Sequence, residues 1–305
     1  MRIALVGAVE STAVTLDALC AAGQPPVAVV GLRAELAARH SDFVDLEALA
    51  KARDLPFIGV DNVNAPEALE AIAALDLDWL IVVGWSQICR APLLALPRQG
   101  CIGYHPAALP RLRGRAVLAW TILLDLPRTA GSLFLLEPTV DSGPLLAQHE
   151  FDLAHRETVE TLIAKHMAAL GEMWRGLLPL GSKAALRTLA QDEAAASYCA
   201  RRTAADGLID WSADATQVDR LVRAVSRPYP GAFSWWKDHR LSVWAAEPWG
   251  GPVHYGAPGQ ILAADDRFLL VSCGGYTALR ITAWSLEGDA SPGPRVGQRL
   301  NNAPA

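Results

Sequence analysis

Two side chains that can exchange a proton near neutral pH lie in separate segments rich in proline and glycine. His105 is in the Gly-Tyr-His-Pro segment 103–106, and Asp141 is in the Val-Asp-Ser-Gly-Pro segment 140–144. A histidine can accept the proton of an attacking amine, and a carboxylate can orient the imidazole and stabilise its charged form. If the fold brings them together, these residues predict a site of proton transfer during attack by an amine.

Each of the two residues also has a purely structural explanation. His105 could be a histidine that only stabilises a turn, and Asp141 could cap a β-turn with Ser142 and Gly143, as aspartate often does. We favour the catalytic interpretation for both residues.

Motifs for metals and phosphates are missing. The seven histidines are scattered without the spacing of metal ligands, so we expect no metal site. The turn 6–10 lacks the second and third glycines of a dinucleotide-binding loop, and the chain has no P-loop. We therefore expect no phosphate cradle at the first turn.

The composition is that of a globular protein of about two domains. The chain has 305 residues, of which 51% are hydrophobic and 19% charged, and its net charge of −5 disfavours DNA or tRNA as a partner. Its five cysteines are odd in number and form no CxxC, which favours a reducing, cytoplasmic location over disulfides or zinc. No apolar run is long enough to span a membrane, and residues 1–10 read as a strand and not as a signal peptide.

The first half of the chain alternates between strand and helix patterns. Continuous apolar segments predict strands at 2–7, 27–32, 56–60, 79–83 and 101–104. Amphipathic spacing predicts helices at 11–22, 45–53 and 65–75. This order is typical of an α/β fold with a mostly parallel, Rossmann-like sheet covered on both faces. Ligands of such sheets bind beyond the carboxyl ends of the strands, where segments 84–87 and 103–105 would emerge.

The second half has a different pattern. Residues 158–178 predict one long helix, and short alternating segments at 241–245, 259–262, 268–273 and 279–284 predict a small β-barrel. We therefore predict a catalytic domain over 1–180, a linker over 181–200 and a barrel-like domain over 201–305.

Two long motifs in the same order resemble the formyltransferases that use 10-formyltetrahydrofolate. The first runs from Gly100 to Gln148 and includes Leu109-Pro110, Arg113-Gly114, Trp120 and Asp141-Ser142-Gly143. The second comprises Asp-Trp-Ser at 210–212 and the segment 223–233, and it looks like the C-terminal domain of methionyl-tRNA and UDP-amino-sugar formyltransferases. The resemblance implies a formyltransferase fold with a smaller, OB-like C-terminal barrel.

The resemblance also implies roles for individual residues. His105 and Asp141 match two catalytic positions of the family, and 10-formyltetrahydrofolate would be the formyl donor. The resemblance places the walls of the folate site at Gln87, Ile88, Cys89, Arg115, Glu137, Pro138, Thr139 and Val140.

This chain departs from the family at one catalytic position. The family's asparagine, which supplies a hydrogen bond to the oxyanion, falls on Gly103. Losing one such donor costs roughly 3–4 kcal/mol. His105 as an imidazolium, a backbone N–H or the Tyr104 hydroxyl would have to replace it.

Two segments of the sequence bear on the identity of the acceptor amine. Segment 33–42 is short and balanced in charge where tRNA-directed relatives carry a basic insertion, and His40-Ser41-Asp42 and segment 84–86 look more like the small-molecule branch. We therefore expect a small amine, with a nucleotide-linked amino sugar as the favoured class and hydroxylamine or amino-acid acceptors left open. A homodimer is compatible with the sequence.

Two alternatives to this function stay open. One is methionyl-tRNA formyltransferase itself. The other, suggested by Gly103, is a homologue that binds folate or a nucleotide with altered or no formyl transfer.

Overall fold

The computed structural model describes residues 1–39, 42–288 and 293–304, and it describes no side chains at 38–39. His40 and Ser41, which the acceptor prediction used, therefore lie outside the described residues. The chain forms two compact units. One comprises 1–117, 128–152 and 163–200, and the other comprises 118–127, 153–162 and 201–305. The domain boundaries expected from the sequence stay a prediction.

The first 200 residues contain nine strands and six α-helices among the described residues. The strands are β1 (Ile3–Gly7), β2 (Ala28–Leu32), β3 (Phe57–Val60), β4 (Trp79–Val82), β5 (Gly100–His105), β6 (Arg113–Gly114), β7 (Arg128–Leu135), β8 (Leu145–Asp152) and β9 (Tyr198–Cys199). The helices are α1 (Glu10–Ala21), α2 (Leu46–Lys51), α3 (Pro66–Ala73), α4 (Ala91–Leu94), α5 (Val117–Leu123) and α6 (Val159–Leu177).

Seven of these strands form the central sheet, in the order β3-β2-β1-β4-β5-β7-β8. The pairs from β3 to β5 are parallel, whereas β7 and β8 add an antiparallel edge. The predicted mostly parallel sheet is thereby confirmed. The sequence analysis did not predict β7 or β8, although β7 carries a nearly continuous buried run from Thr129 to Leu135.

Apolar side chains cover both faces of the sheet, as expected for a parallel arrangement. On one face Leu5 and Ile81 pack with Trp174 of α6. On the other, Val6 and Leu80 pack with Ile72 of α3. Because successive residues of a strand point to opposite faces, each central strand contributes side chains to both clusters. This packing on both faces fixes the strands whose carboxyl ends carry the candidate site.

The second unit contains a five-stranded antiparallel sheet in the order β10-β11-β14-β13-β12. Its elements are α7 (Ala215–Val225), β10 (Ala232–Trp236), β11 (His239–Pro248), β12 (Ile261–Ala264), β13 (Leu269–Ser272) and β14 (Ala278–Leu286). Within the described residues, the ladders do not join the edge strands β10 and β12 to each other. Segment 297–301 instead bonds to Trp235 of β10 and to Ile261 of β12, an arrangement compatible with the expected OB-like barrel.

None of the helices in the described part of the chain combines the length and apolar character needed to cross a bilayer.

A buried histidine in the first unit predicts a pH dependence of stability. His166 on α6 is fully buried, and its Nδ1 lies 3.0 Å from the Tyr104 hydroxyl. Burial, with a smaller contribution from the charge of His105, lowers the pKa of His166 from 6.5 to about 3. The unfolded chain therefore binds a proton below pH 6.5 that the folded chain does not, so stability falls as pH falls.

We expect the free energy of unfolding to drop by about 2 kcal/mol between about pH 6.5 and pH 4.5 through His166 alone. Urea denaturation at the two pH values measures it. His166→Gln should flatten this slope, whereas a change at the exposed His149 should leave it unaltered. Equal slopes for wild type and His166→Gln would contradict the assignment.

Candidate active site

His105 is the last residue of β5, and its side chain is nearly buried, with 5% of the residue exposed. Its Nε2 lies 2.7 Å from the carbonyl oxygen of Leu112. A carbonyl oxygen only accepts hydrogen bonds, so Nε2 must carry the proton and donate it. In the neutral ring, Nδ1 is then the free base.

Asp141 faces that free nitrogen. Its Oδ2 lies 3.6 Å from Nδ1 of His105 and accepts a hydrogen bond of 2.8 Å from the backbone N–H of Gly114. When Nδ1 takes a proton, Nε2 still donates to the Leu112 carbonyl, and the Asp141 carboxylate stabilises the positive charge from 3.6 Å, beyond hydrogen-bonding distance. The predicted pair is thus brought together in an arrangement that stabilises a protonated imidazole.

The loop that supplies these partners has an unusual backbone. Leu112 has φ +57°, a left-handed conformation that costs a branched residue about 1–3 kcal/mol and that turns its carbonyl toward His105. Gly114 has φ +104°, and a Cβ there would lie 2.5 Å from the carbonyl oxygen of Cys199. Only glycine fits position 114, which explains the glycine of the Arg-Gly-Arg motif.

Neighbouring side chains fill the space around Gly103, so a larger residue there would collide with them. It lies within β5, between Val82 of β4 and Phe134 of β7. A Cβ on Gly103 would lie 2.5 Å from Cδ2 of Leu136 and 3.3 Å from Cε1 of Phe134. An apolar side chain, Leu136, therefore fills the space that a side chain at 103 would need.

The Tyr104 hydroxyl, considered from the sequence as an oxyanion donor, is engaged elsewhere. Tyr104 and His105 are consecutive strand residues, so their side chains point to opposite faces of the sheet. The hydroxyl bonds to His166, and burial raises the pKa of Tyr104. The hydroxyl thus lies on the opposite face of the sheet from His105, and the other two donors considered, a backbone N–H and the His105 imidazolium, stay predictions.

Gln87, Ile88 and Cys89 lie on the loop after β4. Both polar atoms of the Gln87 amide bind the backbone, because Oε1 accepts from the Val63 N–H (3.0 Å) and Nε2 donates to the Asp61 carbonyl (2.8 Å). Burial raises the pKa of the Cys89 thiol to about 11, so this thiol stays protonated and is a poor nucleophile. Ile88 is different, because its apolar side chain is 65% exposed.

Residues 137–140 (Glu137, Pro138, Thr139 and Val140) form an exposed loop after β7. Val140 is 43% exposed, and Thr139 accepts a hydrogen bond from the Ser142 hydroxyl through its carbonyl oxygen. Arg115 is also exposed, and its backbone N–H donates to the Cys199 carbonyl. Within the described ranges, no hydrogen bond or ion pair joins the predicted folate-site residues to His105 or Asp141.

Two polar residues near the site were not predicted from the sequence. Arg113, the first arginine of the Arg-Gly-Arg motif, is fully buried, whereas the residue of this motif predicted for the folate site is Arg115. Gln191 donates to the carbonyls of Asp141 and Gly143. An arginine in a loop motif is usually exposed, so the sequence offered little indication that Arg113 is buried. No local sequence pattern indicated a role for Gln191.

Both halves of the chain match models of one protein family. Residues 4–173 match the family model described as formyl transferase, and residues 201–292 match the one described as formyl transferase, C-terminal domain. Among solved structures, the chain is similar to WlaRD, a sugar 3N-formyl transferase crystallised with dTDP and 5-N-formyl-THF. The TM-score is 0.68 at 12% identity, and the match covers 92% of this chain and 97% of that one.

Two further solved structures share the fold. HypX from Aquifex aeolicus, in complex with tetrahydrofolic acid, matches with a TM-score of 0.65 at 17% identity, over 94% of this chain but only 44% of HypX. Methionyl-tRNA formyltransferase from Clostridium thermocellum matches with a TM-score of 0.57 at 16% identity, over 81% of this chain and 93% of that one.

A histidine and an aspartate that meet at the carboxyl end of a central strand of a mostly parallel sheet lie at the edge where α/β enzymes bind their ligands. The chain belongs to the formyl transferase family, because models of its N- and C-terminal domains match most of the sequence.

Proposed function

We propose that this chain transfers a formyl group from 10-formyltetrahydrofolate to a primary amine of a small acceptor, with nucleotide-linked amino sugars as the acceptor class. The observation that carries the proposal is the pairing of His105 with Asp141, 3.6 Å apart. The Leu112 carbonyl leaves Nδ1 of His105 as the basic nitrogen. Such a site suits the attack of a neutral amine on a formyl carbon.

The donor supplies the formyl carbon and a nitrogen leaving group. As the new C–N bond forms, His105 takes the proton of the attacking amine at Nδ1. It then returns that proton to the leaving nitrogen as the bond between this nitrogen and the formyl carbon breaks. Asp141 and the Leu112 carbonyl stabilise the imidazolium between the two steps, and no net proton is gained or lost.

The loops that the resemblance assigns to the folate fit a flat heteroaromatic ring. Ile88 and Val140 expose apolar side chains, a feature that suits stacking against a ring. Within the described residues, the backbone N–H groups of Glu137, Thr139 and Val140 have no hydrogen-bond partner and are free to bind polar ring edges. The formyl- and tetrahydrofolate ligands of WlaRD and HypX support the same donor.

Two observations support a small acceptor over a tRNA. WlaRD, a sugar formyltransferase crystallised with dTDP, matches over nearly its whole length. The net charge of −5 disfavours a tRNA, although methionyl-tRNA formyltransferase shares the fold. A cytoplasmic location and a homodimer stay predictions.

A second candidate function is binding of folate or a nucleotide with altered or no formyl transfer. It is favoured by Leu136, whose side chain fills the space at Gly103 and leaves no room for the family's amide. Calorimetry that shows folate binding without turnover would support this candidate.

The proposal is tested by incubating the protein with 10-formyltetrahydrofolate and a panel of amino-sugar nucleotides, amino acids and hydroxylamines. We expect one acceptor class to gain the mass of a formyl group in place of a hydrogen, measured by mass spectrometry. Charged initiator tRNA belongs in the panel, and its formylation with steep salt dependence would establish the tRNA alternative. No formylated product from any amine would contradict transfer.

A further inference from the structure

Segment 189–199, which the sequence presents as part of a linker, bonds to both loops of the candidate active site. Ser197 accepts the N–H of Arg113 with its carbonyl (2.8 Å) and the N–H of Leu112 with its hydroxyl (2.9 Å). Leu189 and Leu145 exchange two backbone hydrogen bonds, of 2.8 and 2.9 Å. The segment thus fixes the loop behind His105 and the chain just after Asp141.

Gln191 makes the most direct connection. Its Nε2 donates to the carbonyls of Asp141 (2.8 Å) and Gly143 (2.7 Å), so one side-chain amide spans the turn that carries the carboxylate. Its Oε1 accepts from Nη2 (2.8 Å) and Nε (3.2 Å) of Arg113. Each polar atom of the amide therefore has a defined partner, which fixes its orientation.

Arg113 is itself held on every side. Besides its two bonds to Gln191, the fully buried guanidinium donates to both carboxylate oxygens of Glu193 (2.7 and 2.8 Å) and to the Tyr198 hydroxyl (3.2 Å). Those bonds use all five N–H donors of an arginine. The first cause of the raised pKa of Arg113 is the hydrogen bond to Glu193, so the guanidinium stays charged.

Gly114, the second residue of β6, links Arg113 to the Asp141 carboxylate. Gly114, directly after Arg113, donates its N–H to Oδ2 of Asp141 at 2.8 Å. Arg113 and Gln191 therefore act on Asp141 from two directions, through the Gly114 amide on its carboxylate and through its own backbone carbonyl. A shift of about 1 Å at a reacting group can cost on the order of 100-fold in rate.

We infer that Gln191 and Arg113 are positioning residues that hold the Asp141 carboxylate against Nδ1 of His105. The inference rests on the proposed function for its catalytic consequence but not for its geometric part. Segment 189–199, which lies outside both family motifs, is therefore part of the site. Gln191 is the residue of this segment whose loss affects Asp141 most directly.

The kinetic test compares Gln191→Ala and Gln191→Glu with wild type. Glutamate keeps an acceptor for Arg113 but cannot donate to the two carbonyls, so both variants should lower kcat by about 10- to 100-fold. KM values should stay within about threefold, because the substrates are not contacted. In an Asp141→Asn background, Gln191→Ala should cost less than about twofold more.

Gln24→Ala is the matched control. Gln24 also uses its amide on two backbone groups of one residue, the N–H (2.6 Å) and carbonyl (3.1 Å) of Leu180, but it follows α1 and bonds no residue of the two site loops. Its kcat should stay within about twofold of wild type. Equal losses of kcat in Gln24→Ala and Gln191→Ala, or full additivity with Asp141→Asn, would show a merely structural role and overturn the inference.

A readout without substrates separates this inference from the proposed function. In Gln191→Ala the amide hydrogen of Gly114 should exchange at least about tenfold faster, whereas amides of β1 and β4 should be unchanged. Unchanged exchange at Gly114 would overturn the positioning role. Faster exchange in a protein that formylates nothing would support the positioning role and contradict only the proposed function.

Discussion

Replacing His105 by alanine is expected to lower kcat for formyl transfer by about a thousandfold or more, with little change in the KM for either substrate. General acid–base catalysis contributes about 10²- to 10⁴-fold, and the carboxylate beside His105, that of Asp141, already accepts a hydrogen bond from the Gly114 amide. Single-turnover mass spectrometry of the formylated product measures the rate. Activity within tenfold of wild type would contradict a role for His105 as the base.

The design of the controls follows from the contacts of the site. His105→Gln keeps an N–H that can reach the Leu112 carbonyl but has no basic nitrogen, so it should be as inactive as His105→Ala if proton transfer is the cause. Alanine at His149, exposed on β8, should leave kcat within about twofold. An active glutamine variant would indicate that His105 matters for its bond to the loop and not as a base.

Asp141 requires a conservative replacement because of its backbone. Its φ of +52° lies in the left-handed region, which asparagine and aspartate tolerate better than alanine. Asp141→Asn also keeps an oxygen that can accept the Gly114 N–H. It therefore removes the charge beside His105 without disturbing the turn, which makes it the proper background for tests of Gln191.

The sequence was sufficient for those parts of the fold and site that depend on local pattern. Apolar runs such as 79–83 predicted the parallel strands, because a strand buried on both faces has no polar positions. The position of His105 followed from strand β5 ending at that residue. Its pairing with Asp141, 36 residues further along the chain, came only from a matched motif.

The remaining parts of the site depend on contacts that leave no periodic signal. The partner of Nε2 is a backbone carbonyl, at Leu112, and any residue type could supply it. Gln191 acts across about 50 residues through a single amide, in a segment whose composition reads as linker. The Tyr104 hydroxyl stayed among the possible oxyanion donors at the level of sequence because only the structure shows that it binds His166 on its own face of the sheet.

The Gly103 position supports a second large effect. Gly103→Asn alone should destabilise the protein by about 1–3 kcal/mol and lower kcat, because the new Cβ would collide with Leu136 in a strand that ends at His105. Adding Leu136→Ala removes the colliding Cδ2 and opens space for the amide. The double variant should then be more stable than the two single effects predict, by at least about 1 kcal/mol of coupling.

The same double variant reports on the oxyanion. A properly aimed donor is worth about 10²- to 10³-fold in kcat, so Gly103→Asn/Leu136→Ala should exceed the turnover of Leu136→Ala alone by up to about a hundredfold if the native site lacks such a donor. Urea unfolding and single-turnover rates of the four proteins in the cycle provide both measurements. Strict additivity in stability would show that Leu136 does not fill the position. Restored stability without a gain in rate would mean that a backbone N–H or the His105 imidazolium already donates a hydrogen bond to the oxyanion. In that case the native site has replaced the donor that is missing at Gly103.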